Sequence, residues 1–251
     1  MSGLREGGGM GGFNGQAPEG CAVVVGAGGL GRALAAALTE RAAHVHVMLS
    51  GRREAPPCDI TNERSVAALA ERVWDTGAPL RTVIVATGFL HGPGPEPYQA
   101  FAPEKTWRQL DPAHLANAFA VNAIGPALLA KHLLPLFPAS RRCVFAALSA
   151  KVGSIGDNAT GGWYGYRASK AALNQIIRTA AIELARTRPL SLCVAVHPGT
   201  VDTALSAPFA KTGLDVRPPD RAAAQILDML DRLHPDDTGR FFAYDGRELP
   251  W

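Results

Sequence analysis

Tyr166-Arg-Ala-Ser-Lys170 opens an alanine-rich segment. A spacing of i to i+4 puts the phenol and the ammonium on one face of a helix. A phenol ordinarily ionises near pH 10. A nearby cation favours its charged form and lowers that value. Such a tyrosine could hand a proton to a carbonyl oxygen while a hydride arrives at the carbon. Taken alone, the pair reads better as a surface Tyr and Lys on an amphipathic helix. The chemistry needs a hydride source elsewhere in the chain.

A place for one lies near the start. The strand-like run Cys21-Ala-Val-Val-Val25 leads directly into Gly26-Ala-Gly28-Gly29-Leu30-Gly31 and then a helical pattern. This is GxGxxG in the strand–turn–helix context that dinucleotide binding requires. Gly26 permits the turn, Gly28 lets the backbone approach a pyrophosphate, and Gly31 allows close helix–strand packing. Gly29 and Leu30 complete the turn, and the helix N-terminus faces the phosphates. The end of the next strand selects the cofactor. A carboxylate there would hold a ribose 2′-hydroxyl, but the chain offers Ser50-Gly51-Arg52-Arg53. Two guanidinium groups suit bidentate contact with a 2′-phosphate. That favours NADP(H) over NAD(H); the alternative is two solvated arginines at a strand end. Asp59 could accept from an adenine amino group, or belong to the cap of the helix starting near Asn62.

These groups need a scaffold, and the pattern supplies one. Short apolar runs at 22–25, 44–49, 82–86, 143–148, 191–196 and 240–243 read as strands. Longer segments at 30–41, 62–74, 112–136, 165–186 and 219–233 read as helices. The alternation implies βαβ units and a parallel sheet covered on both faces. The expected fold is α/β, a doubly wound Rossmann-type parallel sheet in a single domain, 21–251. Eight of the 27 glycines fall within residues 1–20, which read as a flexible leader too polar for a signal peptide.

Composition narrows the function classes. With 47% apolar and 19% charged residues in 251, the chain can bury a sizeable core and is not a disordered sequence. A net charge of +3, with scattered basic residues, argues against nucleic acid as a partner. Polar residues and a proline interrupt the apolar stretch 115–137, making it a buried helix rather than a membrane span. Four widely spaced cysteines (Cys21, Cys58, Cys143, Cys193) carry no metal-type spacing and suit free thiols in a reducing cytoplasm.

The chain after the leader resembles the short-chain dehydrogenase/reductase family, in its C-factor-like branch. The resemblance rests on Ser149-Ala-Lys-Val-Gly-Ser-Ile-Gly-Asp-Asn, on Gly161-Gly-Trp-Tyr-Gly-Tyr-Arg-Ala-Ser-Lys170-Ala-Ala-Leu-Asn174, on His197-Pro-Gly-Thr-Val-Asp-Thr203 and on Ala243-Tyr-Asp-Gly-Arg-Glu-Leu-Pro-Trp251. It implies a nicotinamide cofactor and a Ser–Tyr–Lys group, often with an Asn. Tyr166 would then be the proton donor or acceptor, and Lys170 would lower its pKa and bind the nicotinamide ribose. Asn122 would join a proton relay. Pro198, Gly199, Thr200 and Thr203 would line the nicotinamide, with Gly88 on the turn after the third strand.

The chain departs from the family at four places. Its glycine turn is one residue shorter than GxxxGxG. Val85-Ala-Thr-Gly88 replaces Asn-Asn-Ala-Gly. Ser149-Ala150 stands where two serines are usual; Ser149 is the preferred catalytic serine and Ser154 the alternative. The substrate loop 204–216, with Ser206, Ala207, Pro208 and Phe209, carries no charged anchor. Gly161-Gly162-Trp163, Phe89-Leu90-His91 and the rim segment 92–97 are expected to face the same cleft. The expected function is an NADP(H)-dependent carbonyl reductase or alcohol dehydrogenase acting on a small carbonyl or alcohol compound. The alternative is a dinucleotide-binding signalling or regulatory protein with little turnover. The alanine-rich helices allow a homodimer or homotetramer.

Overall fold

The computed structural model describes residues 20–41, 45–93, 100–209, 213 and 215–251. Most of the leader, His44, residues 94–97 of the rim segment and residues 210–212 and 214 of the substrate loop lie outside them. Six parallel strands form the sheet: β1 (Gly20–Val25), β2 (Val45–Ser50), β3 (Leu80–Val85), β4 (Val144–Leu148), β5 (Leu192–His197) and, after two minor strands, β8 (Phe241–Ala243). Their spatial order is β2-β1-β3-β4-β5-β8. The minor strands β6 (Thr200–Val201) and β7 (Val216–Arg217) pair in parallel beside the sheet. Gly20, which the sequence pattern places in the leader, is the first residue of β1.

The central strands β1, β3, β4 and β5 are largely apolar on both faces because helices cover both. Val23, Val25, Val83, Val85, Phe145 and Ala147 share one core with α2 (Glu63–Asp75), α4 (Gly125–Leu133) and α5 (Tyr164–Thr187). Val24, Ile84, Val144, Ala146 and Leu148 share the other with α1 (Gly29–Arg41) and α6 (Pro219–Arg232). This is the three-layer arrangement that parallel sheets require. In α2, Asn62 caps the N-terminus by accepting from the N–H groups of Arg64 and Ser65, and Val66, Leu69, Ala70 and Val73 line its buried stripe.

The stretch expected as one helix over 112–136 is continuous but not uniform. It runs as α3 (Pro112–Phe119), a π turn at Ala120–Ile124, α4, and a 3₁₀ turn at Leu134–Leu136. Pro126 has no N–H, and its ring excludes the carbonyl four residues back, that of Asn122. The helix widens there, and Gly125 N–H reaches Ala120 O instead. By length and composition this stretch could cross a membrane. Here His114, Ala118, Asn122, Leu129 and Leu133 are buried, and its helices pack against α2 and α5.

Among the described residues, 26–31, Arg52 and Arg53, Gly88, Ser149 and 198–203 follow the carboxyl ends of β1, β2, β3, β4 and β5. Ligands bind at that edge, where neighbouring connections diverge to opposite faces, as they do on either side of β1. The turn after β1 is set sterically. Gly26 has φ +116°, and a Cβ on Gly31 would lie 1.7 Å from Gly26 O. Gly31→Ala should therefore cost about 1–3 kcal/mol of unfolding free energy, measured by urea denaturation. Gly28→Ala should stay within about 0.5 kcal/mol, because a Cβ there meets nothing within 4 Å. Equal stability of both variants would contradict this turn.

Candidate active site

The glycine turn leaves a bare surface at the start of α1. No acidic residue occupies the first helical turn, and the space above Gly28 is open. Free N–H groups at a helix start suit a diphosphate. Beside it, Thr87 Oγ1 is buried without a hydrogen-bond partner, on the turn that touches Gly26. The open cradle and the unmet hydroxyl fit a dinucleotide.

Arg52 and Arg53 are exposed just beyond β2. Arg32, in the first turn of α1, pairs with Glu54. Neither was expected at this corner, and Glu54 supplies a carboxylate four residues past Ser50, already engaged by arginine. Asp59 Oδ1 accepts from Thr61 N (2.9 Å) and Thr61 Oγ1 (2.7 Å). The Thr61 hydroxyl, with lesser help from Arg52, holds the Asp59 carboxyl below its ordinary range. Asn62, not Asp59, caps α2.

Across the cleft, Thr203 Cγ2 lies 3.6 Å from where a Gly29 Cβ would stand, and Leu205 Cδ2 is 3.6 Å from the same point at Gly88. The segment after β5 thus spans the turns after β1 and β3. Behind it sits Arg217, 2% exposed and unanticipated from sequence. Its guanidinium lies 3.2 Å from the Tyr244 ring centroid and donates to Pro198 O (3.2 Å) and Gln225 Oε1 (3.1 Å). Gly199, at φ +73°, leaves it room: a Cβ there would be 1.5 Å from Nη2. A buried guanidinium with these partners fixes the Pro198–Gly199 turn.

Tyr166 and Lys170 occupy the first turns of α5, as the spacing implies. Lys170 is 2% exposed. Its Nζ donates to Leu148 O at 2.8 Å and stands 5.9 Å from the Tyr166 ring centroid. Burial disfavours the charged form of each group. It pulls the Lys170 ammonium down to about 7 and pushes the Tyr166 phenol up to about 12. Asn122 is fully buried and spends its side chain on structure. It accepts from Phe89 N (2.7 Å) and donates to Phe89 O (2.7 Å) and Ser169 Oγ (2.9 Å). Ser169 in turn donates to Tyr166 O. The π turn therefore ties the segment after β3 to the helix that carries Tyr166.

The two candidate serines are both buried and hydrogen-bonded within the protein. Ser149 follows Phe145 and Ala147 in strand alternation and faces α5. Its hydroxyl donates to Asn174 Oδ1 at 2.6 Å. Ser154 donates to Trp251 O at 3.0 Å and accepts from Asp157 N. Ser149 thus bonds the Asn174 amide and Ser154 the Trp251 carbonyl, and Ala150 carries no hydroxyl.

The start of α5 is held by residues that sequence patterns gave no signal for. Both Glu104 carboxylate oxygens accept from Gly165 N at 3.3 Å, and Glu104 O accepts from Trp163 N at 2.5 Å. His114 Nδ1 lies 3.4 Å from Glu104 Oε1, both side chains being buried. The His114 ring stacks on Phe101 and meets Phe89 edge-on. The expected rim residues do converge. Trp163 lies against Tyr166 (centroids 6.3 Å) and Phe209 (5.0 Å), and Phe209 against His91 (5.4 Å).

The family follows from comparison with known proteins. A family model described as enoyl-(acyl carrier protein) reductase matches residues 24–226. The C-signal protein of Myxococcus xanthus is 36% identical over 143 residues, covering 57% of this chain and 81% of that one. The 1-hydroxy-2-glutathionyl-2-methyl-3-butene dehydrogenase of Rhodococcus sp. is 31% identical over 198 residues, covering 78% and 79%. The chain belongs to the short-chain dehydrogenase/reductase family, and its C-factor-like character is carried by the Myxococcus relative. Two solved structures share the fold. NADPH-bound carbonyl reductase from chicken fatty liver superposes with TM-score 0.77 at 22% identity, covering 93% of this chain and 99% of that one. A short-chain dehydrogenase/reductase structure from Burkholderia multivorans, with bound NADP, gives 0.72 at 26% identity, covering 93% and 100%.

Glu104→Ala should lower the unfolding free energy by about 1–3 kcal/mol, the cost of an unmet buried donor. Glu104→Gln keeps an acceptor and should recover at least half of that, read from urea unfolding followed by far-UV circular dichroism. No loss in the alanine variant would contradict the cap.

Proposed function

We propose that this oxidoreductase is an NADP(H)-dependent carbonyl reductase or alcohol dehydrogenase of small molecules. The observation that carries it is the Tyr166–Lys170 pair, held on α5 by a buried Lys170–Leu148 bond, facing the same strand edge as the open glycine cradle. Relatives with dehydrogenase and oxidoreductase names favour an enzyme over the signalling reading, for which likeness to C-signal is the chief support.

When bound, NADPH supplies the hydride. The N–H groups at the start of α1 hold its diphosphate. Arg52 and Arg53 take a 2′-phosphate, which favours NADP(H), and the neighbours with bound NADPH and NADP agree with that choice. Tyr166 donates its hydroxyl proton to the carbonyl oxygen as an alcohol forms, or accepts one in reverse. Lys170 stabilises the phenolate that remains. Asn122 and Ser169 fix the backbone around the pair. Tyr166 carries the main carbonyl contact, and Ser149, the preferred serine, also supports α5 through Asn174.

Four free, buried cysteines suit a reducing, cytoplasmic setting. Exposed Ile155 (79%), Ile182 (47%) and Trp251 (42%) are apolar surface suited to a homodimer or homotetramer, which sedimentation tests.

With a ketone panel and NADPH, Tyr166→Phe should reduce kcat/KM by about 10²–10⁴-fold, and Ser149→Ala by less than about tenfold. A Tyr166→Phe enzyme at full rate would overturn the mechanism. Arg52→Ala/Arg53→Ala should weaken NADPH binding by at least about tenfold and leave NADH binding nearly unchanged. Equal losses for both cofactors would remove the NADP(H) assignment.

A further inference from the structure

Trp163 is the single non-glycine residue with positive φ among the described residues, at φ 53° and ψ 43°. A bulky side chain in the left-handed region is an outlier that surrounding structure must enforce, and such outliers cluster at functional sites. Here the enforcement is visible. Gly161 and Gly162, at φ +64° and +67°, turn the chain left-handed before Trp163. Glu104 O then holds the Trp163 N–H. A glycine at 163 would serve the turn without strain, so the backbone alone does not explain the indole.

The conformation sets the indole edge-on to the Tyr166 ring, at 72° between planes. The other neighbour of the indole is Phe209, tilted at 55°. Phe209 belongs to the loop following Thr203 and is the ring that currently meets Trp163. His91 closes the far side, its Nε2 3.0 Å from Leu205 O on the same loop. Among the described residues the wall beside Tyr166 is therefore largely a run of π systems, Trp163, Phe209 and His91, with Lys170 Nζ 5.9 Å from the centroid of the Tyr166 ring itself. Such rings attract another ring beyond what area alone provides.

We infer that Trp163 is a specificity-determining residue and that this wall selects a planar aryl carbonyl compound over a saturated one of equal size. The substrate ring packs against Trp163 beside Phe209, and its carbonyl oxygen points to Tyr166. This rests on the carbonyl-reducing function proposed above and adds the substrate class.

Acetophenone and cyclohexyl methyl ketone are a matched pair for the test. Binding to the NADP⁺-loaded protein is measured by calorimetry, and kcat/KM with NADPH by absorbance. The aryl ketone should be preferred about tenfold in both readouts. Trp163→Gly should erase that preference while Tm stays level or rises, because glycine suits the left-handed turn. Phe209→Ala should reduce the preference in part. Equal affinity for the two ketones, no binding of either, or a preference that survives Trp163→Gly would overturn the inference. So would a fall in Tm with the preference intact, which marks a structural indole. An aryl preference in binding without turnover would count against the proposed reductase and leave the aryl site standing.

Discussion

A lysine ammonium buried against a strand-end carbonyl is the constraint around which this protein is arranged. Lys170 Nζ donates to Leu148 O, where β4 ends and the cleft begins. A charge in that position is costly unless hydrogen-bonded, and burial alone brings its pKa to about 7. The bond fixes the rotation of α5 relative to the sheet, because the next turn buries Leu173 and Asn174 and the following one Ile177. With rotation fixed, Tyr166 one turn earlier can stand only at the carboxyl edge.

The other elements serve that placement from different directions. Asn122 reaches from the π turn to Phe89 and to Ser169 on α5. Glu104 and His114 hold the first turn of the same helix. Arg217 fixes the Pro198–Gly199 turn from behind, stacked on Tyr244. These ties join loops that leave β3, β4 and β5, and every one uses a buried polar group with a named partner. Buried polar ties of this kind rigidify a site, although Arg217 Nε and Asn174 Nδ2 have no hydrogen-bond partner among the described residues. The cofactor corner is open by contrast, with bare N–H groups, exposed arginines and the unpartnered Thr87 hydroxyl. Rigidity around Tyr166 and openness at the glycine turn is the division that the proposed hydride transfer needs.

Much of this was legible in the sequence, for physical reasons. The strand–glycine–helix run can be read because sterics at Gly26 and Gly31 admit no side chain. The Tyr166–Lys170 face follows from helical period. The convergence of His91, Trp163 and Phe209 followed from loops that leave one strand edge. Other features left no local trace. Glu104 lies in an irregular segment, and its role depends on a helix sixty residues later. The π turn hides inside helical periodicity, although Pro126 was a usable signal. The Ser149 hydroxyl is directed by strand alternation persisting one residue past β4, which spacing to Tyr166 could not reveal. Glu54 and Arg32 meet only because α1 and the end of β2 are neighbours in space.

The central claim is that Lys170 governs the proton on Tyr166. The direct measurement is a pH titration of the Tyr166 ring carbon, by NMR of protein carrying ¹³C-labelled tyrosine and saturated with NADP⁺. The free-protein phenol, pushed up to about 12 by burial, should titrate lower in the complex, because the nicotinamide charge favours phenolate and a forming phenolate keeps the neighbouring Lys170 protonated above its free-protein value of about 7. Lys170→Met should raise it again by at least one unit, about 1.4 kcal/mol. A Tyr166 resonance that titrates at the same pH in both proteins would contradict the claim.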